Sequence, residues 1–219
     1  ILTMVGSKNY FDKTIDGAYN IATAKRQPGS SFKPFVYVTG FEEGYTPDTV
    51  LFDTPTQFNS GCPTTDFTTG APCYSPDDYD NIYKGPMTAR SALQESRNIP
   101  AVKMLYLVGI DDAMKKARDL GVTLSGNKDQ YGLSLVLGGG EVSLIDMVTG
   151  YATLANNGVR QTVLPILRIE DSMGIVLENY EIKPGDQVVT PEAVALISNV
   201  LSDNNARIPT FGANSSLYI

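Results

Sequence analysis

Apolar residues first take up helical spacing after the turn Gln27-Pro28-Gly29, where SFKPFVYVTGFEEG predicts a helix. The preceding ILTMVGSKNYF reads as a strand leading into a turn. From Tyr45 to Tyr83 the chain is rich in Thr, Pro, Gly and Asp with little helical period, the mark of a functional wall or lid. Helical pattern resumes after Thr88, an N-cap for ARSALQE, and breaks at SRNIP. It continues through AVKMLYLVG and DDAMKKARDLG, where Gly121 fits the position just past a helix end. Ser143 and Asp146 form an S-x-x-D capping signal for LIDMVTGYATLANNG. TVLPILRIE and GIVLENYEI, split by Asp171-Ser172-Met173-Gly174, read as a β-hairpin, and Thr190-Pro191 opens a last helix.

Composition narrows the chemistry. The 219 residues suit one large domain or two small ones, and 42% hydrophobic with 19% charged residues describes a globular chain. A formal charge of −7 argues against a nucleic-acid partner, which needs clustered Lys and Arg. No apolar run reaches the roughly 18 residues of a membrane span, and the start on ILTMVG, without a signal peptide, reads as a domain cut from a longer chain. There is no histidine, so any serine nucleophile here needs another base, and lysine is the leading candidate because its pKa falls readily on desolvation. With two cysteines, Cys62 and Cys73, a zinc site is not expected. The pair forms either a disulfide, in an oxidising setting, or two free thiols in a reducing one.

The candidate chemistry lies in RQPGSSFKPF, Arg26 to Phe35. Ser30 and Lys33 are spaced i and i+3 at a predicted helix start, and so share one face. Pro34 lacks the N–H that would reach the Ser30 carbonyl, which opens the first turn slightly. The spacing alone also suits a plain helix start carrying a surface lysine. Ser96-Arg97-Asn98 adds an S-x-N tripeptide where one helix stops and the next begins. Acyl transfer needs a nucleophile, a base and a proton donor for the leaving amine, roles that Ser30, Lys33 and Ser96 can fill, with Asn98 binding the substrate amide. Backbone N–H groups at the helix start would face a developing oxyanion. Arg97 reads as a surface residue, Gly138-Gly139-Gly140 as a turn, and Lys115, Lys116 and Arg118 as a solvated helix face.

The resemblance to a known family is wider than these tripeptides. DGAYNIATAKRQPGSSFKPFVY resembles the active-serine region of class A penicillin-binding proteins, and NIYKGPMTARSALQESRNIPAVKML resembles the segment with their second motif. LGGGEVSLIDMVTGYATLANNG and VLSDNNARIPTFG are similar to the usual downstream stretches. The resemblance implies an α+β fold of the serine β-lactamase and penicillin-binding-protein type, with an antiparallel sheet flanked by helices. Residues 1–219 would form a single incomplete transpeptidase domain, with a mostly helical subdomain over approximately residues 40–160. It implies a serine D,D-transpeptidase that cross-links peptidoglycan stem peptides ending in D-Ala-D-Ala and is acylated by β-lactams, without cofactor or metal. Ser30 would be the nucleophile, Lys33 the general base, Ser96 the proton shuttle and Asn98 a substrate ligand. The implied location is the outer face of a bacterial cytoplasmic membrane, with an anchor outside this chain. That compartment is oxidising and favours the Cys62–Cys73 disulfide. The third motif, K-[TS]-G, does not occur, and Lys183-Pro184-Gly185 reads as a turn. The expectation is that this motif and the C-terminal sheet strands follow Ile219. The 219 residues alone would then be weakly active or inactive, and a C-terminal fragment or neighbouring chain would complete the sheet. The alternatives are a non-catalytic domain that binds peptidoglycan or partners and, among enzymes, a D,D-carboxypeptidase or β-lactamase.

Overall fold

Helix α1 (Lys33–Glu42) is the hub of the computed structural model, which describes residues 3–68, 72–181 and 183–216, and every residue from Lys33 to Phe41 is buried. A helix apolar on all sides has to be wrapped, and FVYV provides such a surface. Four helices surround or adjoin it: α2 (Ala89–Gln94), α3 (Asn98–Val108), α4 (Ile110–Leu120) and, later in the chain, α7 (Pro191–Leu201). Phe35, Val36, Met104, Leu105, Leu120 and Ile197 meet in one core. Between these elements lie α5 (Lys128–Tyr131), a 3-10 helix over Gly132–Leu137, and α6 (Leu144–Ala155). Helix α8 (Asn204–Phe211) closes the series.

The caps read from the sequence are in place. Thr88, Ser143 and Thr190 each accept a backbone N–H three residues on, and Gly121 ends α4 with φ 100°, a conformation glycine adopts without strain. Strands pair as three two-stranded antiparallel sheets among the described residues. β1 (Val50–Asp53) pairs with β2 (Gly85–Thr88), setting Asp53 opposite Gly85. β3 (Val159–Arg160) pairs with β6 (Asp186–Gln187), and β4 (Arg168–Glu170) with β5 (Val176–Asn179) as the expected hairpin, shorter than its apolar pattern. Lys183 to Gly185 is irregular and leads into β6.

The strand expected over ILTMVGSKNYF is absent from residues 3–11. Its backbone turns back on the next segment instead: the Ile21 N–H donates to the Gly6 carbonyl (2.9 Å) and Ser7 Oγ to the Gly17 carbonyl (2.6 Å). A strand needs a ladder of such bonds with a neighbour, and residues 3–11 enter no strand pairing among the described residues. Lys116 also departs from a solvated face, because it pairs with Glu42 and donates to the Val188 carbonyl (2.8 Å).

Cys62 and Cys73 are joined by a disulfide with their Cα atoms 5.8 Å apart. The bridge closes the long wall just before the acidic run Asp77-Asp78-Tyr79-Asp80. Replacing both cysteines with serine is expected to lower unfolding stability by about 3 kcal/mol through the freed denatured chain. Urea denaturation checks this, and an unchanged midpoint would mean that other contacts already fix the loop.

Candidate active site

Pro34 shapes the turn that presents Ser30. Because Pro34 has no N–H for the Ser30 carbonyl, the Lys33 N–H takes that carbonyl one residue earlier, and Gly29–Phe32 winds as a 3-10 turn before α1 begins. In a 3-10 turn, side chains at i and i+3 eclipse, which brings Ser30 and Lys33 to one side. Ser30 is exposed while Lys33 has no exposed surface.

The turn is braced on two sides. Tyr151 of α6 donates its hydroxyl to the Ser31 carbonyl (2.9 Å), and Ser31 Oγ donates to the Pro28 carbonyl (2.6 Å). On the other side Gly138, at φ 82°, lies so close that a Cβ there would stand 2.2 Å from the Gly29 nitrogen. The glycine run is therefore a turn, as its sequence suggests, and it also seats the serine. Gly138→Ala is expected to destabilise the fold by about 1–3 kcal/mol by displacing Gly29. Thermal melts check this, and an unchanged melting point would mean that the turn yields without cost.

Buried Lys33 reaches the S-x-N segment. Its Nζ donates to the Ser96 carbonyl (2.6 Å), to Asn98 Oδ1 (2.9 Å) and to Ser96 Oγ (3.3 Å), and no hydrogen bond joins it to Ser30 among the described residues. Three acceptors satisfy the three protons of an ammonium. Burial lowers the Lys33 pKa to about 8; the Asp78 carboxylate works against that fall and the Arg97 cation adds to it. Losing one proton gives this amine a lone pair that can accept from a serine hydroxyl.

Ser96 has φ 55°, a left-handed conformation rare for a residue with a Cβ and costing about 1–2 kcal/mol. It lies at the break between α2 and α3, where the Ser96 N–H donates to the Leu93 carbonyl (3.0 Å) and the Arg97 N–H to the Ala92 carbonyl (2.9 Å). Asn98 opens α3, receives Lys33 on its oxygen and donates Nδ2 to the Asp77 carbonyl (2.9 Å). One Nδ2 proton remains for a ligand.

Arg97 corrects the surface reading. It is fully buried, pairing through Nε with Asp53 (3.0 Å), through both oxygens with Asp80 (2.9 and 2.8 Å) and with Asp78 (3.3 Å), beneath the Tyr79 ring at 5.4 Å. Sequence reasoning missed these three aspartates; the density of acid in SPDDYDN was an available signal for Asp78 and Asp80, and nothing in the sequence pointed to Asp53. Arg97→Met should cost about 3–5 kcal/mol, since it leaves carboxylates buried without their cation. Denaturant titration checks this, and a loss under about 1 kcal/mol would mean that water reaches the cluster. Among the described residues no group of His, Cys, Asp or Glu is arranged to hold a metal ion, and no helix is long and apolar enough to cross a membrane.

Residues 1–208 match the family model described as the penicillin binding protein transpeptidase domain. The chain is 34% identical over 203 residues to penicillin-binding protein 2D of Bacillus subtilis, covering 90% of this chain and 27% of that protein. Among solved structures, penicillin-binding protein 1A of Haemophilus influenzae superposes with TM-score 0.73 at 26% identity, covering 87% of this chain and 31% of that one. PonA1 of Mycobacterium tuberculosis, solved in complex with penicillin V, shares the fold with TM-score 0.71 at 20% identity, covering 89% of this chain and 50% of that one.

Proposed function

The chain belongs to the penicillin-binding protein transpeptidase family, and from that premise we propose that it is a serine D,D-transpeptidase acting on peptidoglycan stem peptides and acylated by β-lactams. The observation that carries this reading is the convergence of Lys33, its pKa lowered by burial, on Ser96 and Asn98, at the foot of the turn presenting Ser30. Neutral Lys33 accepts the Ser30 Oγ proton as that oxygen bonds to the carbonyl carbon of the penultimate D-Ala. The resulting ammonium passes a proton, through Ser96 Oγ, to the departing D-Ala amine as the peptide bond breaks. An ester on Ser30 remains. An acceptor amine from a second stem peptide then attacks the ester, forms the cross-link and returns a proton to Ser30. Asn98 holds the stem peptide amide through its remaining Nδ2 proton.

Residues 1–219 are read as one transpeptidase domain whose helical part runs over approximately residues 40–160. The disulfide supports placement outside the cytoplasmic membrane, where such bonds persist. A D-Ala-D-Ala peptide supplied with and without a D-amino acid amine tests the reading. Transfer to the amine is expected; release of free acid alone would show a carboxypeptidase, and no acyl-enzyme from this chain or from its full-length parent a binding domain.

A further inference from the structure

The first turn of α3 rests on a charge cluster that the chemistry above does not use. Arg97 faces Asp53, Asp78 and Asp80 there, and the side chains of Asp53 and Asp78 have no exposed surface. Asp53 Oδ1 and Asp78 Oδ2 have no hydrogen-bond partner. One of the three aspartates also reaches the site: Asp78 Oδ1 accepts the backbone N–H of Asn98, and its charge acts directly on Lys33.

We propose that Asp78 is a positioning residue, fixing the first turn of α3 so that Ser96 and Asn98 meet Lys33, and setting by its negative charge the pH at which Lys33 becomes a base. This rests on the reading of Lys33 as the general base. A carboxylate beside an ammonium favours the charged form, so Asp78 holds the proton on Lys33 to higher pH than burial alone would. Asp78 itself is pushed up to about 6, by burial first and then by the neighbouring Asp53 carboxyl, so its control lapses in mildly acidic solution. The groups facing this pair come from several elements. They are Asp53 on β1, Tyr37 on α1, Arg97 at the start of α3, and Asp80 and Tyr83 in the same wall as Asp78. Tyr37 is buried and stays protonated, since burial raises its pKa further. Arg97 stays charged across this range.

Asp78→Asn tests the inference, because asparagine keeps an acceptor for the Asn98 N–H while removing the charge. The full chain, carrying 13C-methylated lysines assigned through Lys33→Arg, is titrated by NMR, and the pH profile of penicillin acylation is recorded beside it. In Asp78→Asn both the Lys33 midpoint and the rising limb of the rate should move to lower pH by roughly one unit. A variant whose two midpoints stay where they are, or whose rate falls equally at every pH, overturns the inference. A Lys33 midpoint that moves while the rate limb does not would instead overturn the base assignment and leave the electrostatic link standing.

Discussion

Ser30→Ala is expected to reduce acylation to background, a loss of about 10⁶-fold on the scale of nucleophile removal in a serine hydrolase. No neighbouring hydroxyl replaces it. Ser31 is adjacent, but its hydroxyl is turned back onto the Pro28 carbonyl within the same turn. Ser96 touches Lys33, yet it is half-buried at a helix break, whereas Ser30 is exposed at the mouth of the site. The exposure also makes the experiment clean, because truncating an exposed side chain usually changes stability by no more than about 0.5 kcal/mol. Stopped-flow acylation with a chromogenic β-lactam provides the rates, and equal melting curves confirm the fold. A residual rate within tenfold of wild type would remove Ser30 from the mechanism.

Lys33→Ala should slow acylation by about 10²–10⁴-fold, the range for a lost general base. With no histidine in the chain, Lys33 is the buried amine placed to take the proton. The sign of the pH dependence follows from its protonation. Burial lowers the folded pKa from 10.5 to about 8, and a base works only when deprotonated, so the wild-type rate should rise with pH through that value. The same depression weakens the fold below pH 8, where an ammonium must stay buried, and stability returns as pH climbs from about 8 toward 10.5. The alanine variant should lose both the rising limb and this alkaline gain in stability. A variant that keeps a rising limb near pH 8 would assign the base to another group.

The parts of the molecule legible in the sequence are those settled by neighbours in the chain. Thr88, Ser143, Thr190 and Gly121 mark helix ends because each cap acts within its own first or last turn. Ser30 and Lys33 were legible for the same reason, being three residues apart, and Pro34 foretold the irregular first turn. What stayed hidden depends on distant partners. Arg97 looks like any surface arginine until Asp53, Asp78 and Asp80 arrive from a strand and a loop far off in the chain. The opening strand failed because pairing, unlike a helix, is not contained in one segment. Helix α8 was masked by Pro209 in its interior, and its N-cap Asp203 accepts from Ala206 all the same (3.0 Å). Strand β1 hid inside a stretch whose Thr, Pro and Asp content resembles loop.

The central claim is that Ser30, presented by its own turn and activated by the lysine three residues on, is the atom that takes the acyl group. Peptide mapping of the protein after incubation with penicillin tests it most directly. The account predicts one penicilloyl group, on Ser30 in the peptide spanning Arg26 to Lys33, formed faster as pH rises toward 8 and above. A penicilloyl group on Ser31, on Ser96 or on any other residue would contradict it.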